Sequence, residues 1–333
     1  MASKPLIAVV GADGFVGSGL AAALGAERVV YGPCRSDRDV HISQAEPLLR
    51  QADVVVNASG FRVRRGLTLD DYRRCHQGST SAFVPWVRKG ALFIHMSSAH
   101  VLGKSRTEKL GNDATPRPET YPSAIYSIAK YECDQYLKKE ADERGFKVVY
   151  LRPTILWERL GDTSMIDNLC KLARRGTMLR LYPRKARHHL CNLNILMEVA
   201  CRLVEYNSEV PHGTALVVAD PYTVTSEELE AMMLRYAQKK PTVVPIPSQL
   251  CHALVRLLPH SSTPALDFKT WGDIFGVFCL DTVYDPSQTF RMLRIDPSRY
   301  AMEKTLEPFV RQALAAPAPA ADPVAVSVQN SAR

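Results

Sequence analysis

Apolar residues along this chain fall into short runs closed by glycine or by polar residues, and most runs are followed by a stretch with helical spacing. Leu6–Val10 is one such run, ending at Gly11, and Phe15–Leu24 then repeats its apolar residues with the period of a helix that closes near Gly25. The alternation predicts a second strand over Arg28–Tyr31, a helical piece over Glu46–Arg50 and a further strand over Asp53–Asn57. Leu92–Met96 reads as a strand, Ala124–Arg144 as a long amphipathic helix stopped by Gly145, and Lys147–Leu151 as the next strand. Strands alternating with helices imply a parallel sheet covered on both faces, because a parallel connection needs a crossover. Beyond Pro153 the pattern loosens into helices predicted at Met165–Arg175, Asn194–Tyr206 and Ser226–Gln238, with one apolar strand at Ala215–Ala219. Glu227 and Glu228 behind Ser226 suit the positive end of a helix dipole.

The expectation is an α/β chain: a doubly wound parallel Rossmann sheet with a smaller, mixed C-terminal substrate lobe. Residues 1–155 form the dinucleotide-binding domain and 156–312 mainly the lobe, with segments near 187–220 returning to the first domain. Residues 313–333, rich in Ala, Pro, Val and Ser without periodicity, read as a disordered tail.

Composition changes this picture little. Hydrophobic residues make up 46% and charged residues 23% of the 333, the balance of a globular protein. Neither a leader peptide nor an apolar run of membrane-spanning length is read, so the expected setting is cytoplasmic, with no membrane partner. The eight cysteines lack metal-site spacing, so no metal is expected. The net charge of +8 gathers at Arg62, Arg64, Arg65, Arg73 and Arg74 and again over Lys171–Arg187. No aromatic residues interleave as a nucleic-acid platform would require, so the clusters are assigned to an anionic cofactor or substrate.

Candidate chemistry begins at the first glycine turn. Gly11, Ala12, Asp13, Gly14, Phe15, Val16 and Gly17 form GxxGxxG between a strand and a helix, the placement in which backbone N–H groups and the helix N-terminus receive a pyrophosphate. Alone, the motif also fits a turn used only for packing. At the end of the second strand Arg35 stands where an NAD enzyme often carries a carboxylate, so NADP(H) is the preferred cofactor and NAD(H) the second choice. Asp39 and Val40 are assigned to the adenine side, and Ala58 and Ser59, after the strand Asp53–Asn57, complete this part of the cofactor set.

Tyr126 and Lys130 stand four apart, on one face of a helix. A phenol titrating near 10 is a poor base at neutral pH, and an adjacent ammonium favours its ionised form. Isolated, YxxxK is more often just two surface residues. Upstream, LFIHMSSAHVLG delivers Ser97 and Ser98 at a strand's C-terminal end.

Here the chain resembles the extended short-chain dehydrogenase/reductase family of the epimerase/dehydratase type, in which a strand, a serine-rich turn and VYG precede YxxxK. The resemblance implies Ser98 as catalytic serine, Tyr126 as proton donor and acceptor, and Lys130 as holder of the nicotinamide ribose. It also implies Leu151–Thr154 as the strand lining the nicotinamide through Pro153 and Thr154. It runs from Leu6 to Phe309, more weakly in the second half, where Arg187–Asn194, VVADPYTVTSEELEAMM, VVPIPSQL and FRMLRIDP look similar to nucleotide-sugar epimerases and 4-keto-sugar reductases. Arg187 is thereby implied as a diphosphate ligand, and His100 joins Ser98 and Tyr126 on the substrate side. Leu102, Cys75 and Glu158 depart from the family pattern. The histidines suggest no second site: His188 and His189 alternate along a strand, and His95 and His100 lack evident partners.

The implied activity is hydride transfer at a secondary alcohol or ketone of a nucleotide-linked sugar. Alternatives are an epimerase retaining its NAD, a hydroxysteroid-type dehydrogenase, and a non-catalytic dinucleotide sensor. The partner expected is a nucleotide-sugar-like small molecule, with a homodimer through the helices around Tyr126 as the family often forms.

Overall fold

The computed structural model describes residues 4–61, 67–105, 109–120, 124–157, 165–182, 185–246 and 283–316. Its centre is a seven-stranded sheet. The strands are β1 (Ile7–Val10), β2 (Glu27–Val30), β3 (Asp39–His41), β4 (Val54–Asn57), β5 (Leu92–Met96), β6 (Lys147–Pro153) and a later one, Ala215–Val218. Every pairing in the sheet is parallel, and β1 lies between β2 and β4, so the chain reverses its direction of travel at β1. Open parallel sheets bind ligands at that reversal, outside the carboxyl ends of the strands.

Both faces of the sheet are buried, as crossovers on both sides require. On one face α1 (Phe15–Leu24) packs Leu20 and Leu24 against Val9, Val56 and Ile94. On the other, α2 (Glu46–Gln51) and a long helix at Ala124–Arg144 pack Leu49, Cys133 and Leu137 against Val10, Val55 and Phe93. Neighbouring residues of β1 therefore belong to different cores, the period of two expected of a strand.

Between β4 and β5 lies α3 (Leu69–Arg73), continued by a π turn at Arg74–Gly78 and a last turn at Ser79–Ser81. The sequence pattern did not predict it. Its capping box explains the start: Thr68 Oγ1 accepts from Asp71 N while the Asp71 carboxylate accepts from Thr68 N. β3 also escaped the pattern, being three half-buried edge residues. The Ala124–Arg144 helix, α4, has its predicted ends, whereas β6 runs two residues beyond its predicted end, to Pro153.

The smaller lobe starts at β7 (Ile155–Trp157) and holds α5 (Met165–Arg174), β8 (Thr177–Leu181), β9 (Arg187–His188) and β10 (Leu190–Asn192). α6 (Leu193–Glu205) then packs on the α1 side of the main sheet, and Ala215–Val218, β11, joins β6 there. β12 (Val224–Thr225), α7 (Ser226–Tyr236), β13 (Thr242–Ile246), α8 (Ser287–Met292) and α9 (Leu306–Ala315) complete the described elements. Trp157, Ile166, Leu229, Phe309 and Leu314 form the lobe's own core. The predicted tail is corrected at its start, since 313–315 finish α9 with Leu314 buried. Residues 317–333 lie outside the described residues, as do Arg62, Arg64, Arg65, Glu158 and the end of VVPIPSQL.

Candidate active site

The glycine turn crosses the carboxyl end of β1. Gly17 is the tightest position: a Cβ there would lie 2.0 Å from Gly11 O, so α1 sits directly on the turn. Gly11 has φ +82 and would drive a Cβ to 2.9 Å from the Ser59 backbone, which brings the β4 end against the turn. Gly14 is the N-cap of α1, and the helix runs on from Phe15, Val16 and Gly17. The Asp13 carboxylate accepts from Gly32 N at 3.1 Å, anchoring the turn to the end of β2. Arg35 is exposed on the loop that follows. Asp39 shapes that loop: its carboxylate takes the Arg28 guanidinium at 2.6 Å and the backbone N–H groups of Arg35 and Ser36. Those contacts, Arg28 first, hold its carboxyl down at about 2. Val40 is half-buried beside it on β3.

Ala58 and Ser59 follow β4. Ser59 Oγ donates to Asn57 Oδ1 at 2.6 Å, and Ala58 N donates to Val10 O. Sequence reasoning missed Tyr31, the residue after β2, whose phenol burial pushes up while the nearby Ser59 and Ser79 draw it back. At the end of β6, Pro153 and Thr154 are buried, and Thr154 Oγ1 has no hydrogen-bond partner among the described residues. Buried polar atoms are nearly always satisfied, so this hydroxyl suits a ligand's donor or acceptor. The close-backed glycine turn and the orphaned hydroxyl together fit a nicotinamide dinucleotide laid along the strand ends.

Ser98, Tyr126 and Lys130 are brought together at the same edge. Ser98 caps a short 3-10 turn at Ala99–Leu102, its Oγ accepting from His100 N at 3.2 Å, and its hydroxyl lies close enough to the Tyr126 phenol to influence its ionisation. Burial pushes the phenol's pKa up and the Ser98 contact pulls it back, so Tyr126 holds its proton at neutral pH. Lys130, one turn along α4, is 5% exposed and donates from Nζ to Met96 O at 2.8 Å. Burial lowers its pKa, while Cys133, Asp134 and Cys75 oppose that shift.

Rings surround the phenol. Tyr72 and His76 stack 5.8 Å apart and each meets Tyr126 edge-on at 5.6 Å, with His100 at 6.0 Å. His76 is neutral, driven down to about 2 by burial and the nearby Lys130 charge. Neither Tyr72 nor His76 carried a sequence signal, because both lie on the unpredicted α3 and π turn.

Two expectations are corrected. His95 has partners: Asn57 Nδ2 lies 3.3 Å from its Nδ1 and Asp134 Oδ1 3.7 Å from its Nε2. Arg73 and Arg74, assigned to an anionic ligand, are engaged by Asp70, Asp71 and Glu132, and the Arg73–Glu132 pair ties α3 to α4. Arg187 is exposed on β9, whereas His188 and His189 are both buried, bonded to Ser226 Oγ and Asp220 O. Arg187, Lys109, His189, Tyr222 and Tyr284 line a cavity of about 470 Å³, and Tyr284 donates to Gly103 O at the end of the Ser98 turn. Among the described residues no group of three or more His, Cys, Asp or Glu could hold a metal, and no helix is long and apolar enough to cross a membrane.

The family model of the NAD dependent epimerase/dehydratase family matches residues 7–177, a span that holds the glycine turn, Ser98, Tyr126 and Lys130. The chain belongs to that family. This epimerase/dehydratase-family protein is similar in fold to RMD from Pseudomonas aeruginosa complexed with NADPH, at TM-score 0.68 and 14% identity over 94% of this chain and 100% of that one. A second similar structure is UDP-N-acetylglucosamine 4-epimerase from Bacillus cereus, at TM-score 0.67 and 12% identity over 93% and 98%. A third is MoeE5 in complex with UDP-glucose and NAD, at TM-score 0.70 and 17% identity over 93% and 100%. At these identities the likeness shows a shared fold. No curated protein matches the sequence.

Proposed function

We propose that this protein is an NAD(P)-dependent oxidoreductase that interconverts a ketone and a secondary alcohol on a nucleotide-linked sugar. The observation that carries the reading is the gathering of Ser98, Tyr126 and buried Lys130 at the crevice end of the sheet, with Lys130 Nζ holding Met96 O two residues before Ser98. When bound, the dinucleotide supplies or accepts the hydride. Tyr126, protonated in the free protein, gives its proton to the carbonyl oxygen in reduction and takes it back in oxidation. Ser98 orients and polarises that oxygen, and Lys130 holds the ribose and favours the phenolate.

The neighbours in complex with NADPH, UDP-glucose and NAD support the cofactor and substrate classes. Native mass spectrometry of the purified protein, followed by turnover with a panel of nucleotide sugars and both reduced cofactors, tests the reading. A dinucleotide complex with reduction of one panel ketone is expected. Failure to bind either dinucleotide overturns it.

Cofactor choice rests on two side chains of opposite sign, Arg35 on the loop after β2 and Asp13 in the glycine turn that is bonded to it. Arg35 is placed to fork onto a 2′-phosphate, whereas Asp13 offers an acceptor to a ribose hydroxyl. NADPH is the proposed preference, with NADH accommodated. Arg35→Ala should weaken NADPH about tenfold or more, the ~1.5–3 kcal/mol of a charged hydrogen bond, and leave NADH nearly unchanged. Equal weakening in the two titrations would remove Arg35 from the cofactor site.

For the substrate, the cationic cavity beside the Ser98 turn supports Arg187 as a diphosphate ligand. Arg187→Ala should raise KM for the nucleotide sugar more than it lowers kcat, because a phosphate far from the reacting carbon contributes mainly uniform binding. Unchanged steady-state kinetics would return Arg187 to an ordinary surface role.

A further inference from the structure

Beneath the Ser98 turn lies a buried polar cluster for which the proposed reaction has no use. Asp134 stands one turn beyond Lys130 on the same face of α4, and is 2% exposed. Its Oδ2 accepts from Ser97 Oγ at 2.8 Å and from the Arg152 guanidinium at 3.4 Å. Its Oδ1 faces His95 Nε2 at 3.7 Å, and its backbone oxygen accepts from the Tyr150 hydroxyl at 3.0 Å. One carboxylate thus joins α4 to the ends of β5 and β6. Meanwhile Lys130 Nζ holds Met96 O, and Ser97 N donates to Leu151 O at 2.9 Å. The two residues that immediately precede Ser98 are therefore each gripped by a side chain of α4, Met96 by Lys130 and Ser97 by Asp134.

Charge gives the carboxylate a second use. Lys130 and Arg152 are cations carried into the interior, a costly state unless a counter-charge is close. The titratable and charged groups facing Asp134 and Lys130 are His95 on β5, Arg152 and Tyr150 on β6, Cys133 and Tyr126 on α4, and Cys75 and His76 on the π turn. Asp134 is the carboxylate among them. His95 and His76 are neutral from burial, while burial also pushes Tyr126, Tyr150 and Cys133 upward, away from neutrality. The Asp134 carboxyl is raised by burial and drawn back by Arg152, Ser97 and Lys130.

We propose that Asp134 is a positioning residue: it clamps the Ser97–Ser98 turn against α4 and supplies the buried counter-charge that keeps Lys130 an ammonium beneath the dinucleotide ribose. This rests on the reading of Ser98, Tyr126 and Lys130 as the reacting set. The sign follows from the charges. Removing the carboxylate leaves Lys130 to lose its proton at lower pH than in the wild type, and an amine holds the ribose hydroxyls less firmly than an ammonium.

The test is the affinity for NADPH and NADH across pH 6–9, read by nicotinamide fluorescence on the full chain, which needs no substrate. Asp134→Asn should match wild type within about twofold at pH 6 and bind about tenfold more weakly at pH 9, with Asp134→Glu restoring much of the difference. A near-constant ratio across the range, whether unity or a uniform loss, overturns the proposal, since a purely structural carboxylate has no alkaline limb of its own. A site this deeply buried tolerates few changes, so Arg152→Met supplies the mirror test. Freed from Arg152, the carboxylate serves Lys130 alone and affinity should persist to higher pH, whereas an unmoved limb counts against the assignment. A wild type that binds neither dinucleotide overturns the functional reading together with this one, while binding with a flat Asp134→Asn ratio removes only this one.

Discussion

Tyr126→Phe should cut hydride transfer by about 100- to 10,000-fold, the usual loss for a positioned general acid, while dinucleotide affinity stays within about twofold. The separation follows from the geometry. The contacts with Tyr72, His76 and His100 are made by the ring, which phenylalanine keeps, so the box around it should stay filled. Only the hydroxyl beside Ser98 is lost, and Ser98 still caps the turn through His100 N. Lys130→Met should differ by harming both rate and affinity, because it removes the ribose contact with the charge. Ser98→Ala should be intermediate, since water can partly replace its hydroxyl. Single-turnover absorbance of the reduced nicotinamide, with the ketone that the nucleotide-sugar panel identifies, gives the rate, and titration gives the affinity. A Tyr126→Phe protein turning over at the wild-type rate would sink the proposed mechanism.

Gly17→Ala should weaken NADPH and NADH binding by tenfold or more and destabilise the fold by about 1–3 kcal/mol, the range of an overpacked core. The added methyl would begin 2.0 Å from Gly11 O and 2.7 Å from its carbonyl carbon, both backbone atoms that no rotamer change can clear. Relief requires α1 to move off the turn, carrying its N-terminus away from the place where a pyrophosphate would lie. Because Leu20 and Leu24 of the same helix pack into the sheet core, that movement also opens packed surface. Denaturant unfolding and fluorescence titration measure the two losses. Loss of stability with affinity intact would mean that the turn serves packing alone, the alternative that the motif by itself leaves open.

The legible parts of the site share one property: their partners are close in sequence or set by a short periodic rule. GxxGxxG is read locally, and YxxxK needs only the helical repeat. α4 took its predicted ends because Gly145 stops it, and β1, β4 and β5 were visible as apolar runs because both sheet faces are covered. α7 begins where the acidic residues behind Ser226 indicated, although the cap itself is Thr225, closed by Glu228. Asp134 could have been noticed, since it repeats the spacing of Lys130 along one face. Its function could not, because Ser97, Arg152 and His95 come to it from two other elements.

From the sequence alone came the parallel α/β class, the strand–turn–helix that suits a dinucleotide, and the presence of Ser98, Tyr126 and Lys130. The first two depend on periodicity and on glycine's missing side chain, which act over a few residues, whereas the three side chains were singled out by the family resemblance. Tertiary structure decided the rest. It set Tyr72 and His76 around the phenol, turned Arg73 into a tie between helices and Arg74 into a pair with Asp71, gave His95 its partners and brought Tyr31 near Ser59 and Ser79. Each of these depends on which side chains meet at the carboxyl ends of strands distant in sequence, and burial there fixes the charge that each can carry. No local pattern encodes that meeting, because the same residues on a solvated face would be paired with water instead.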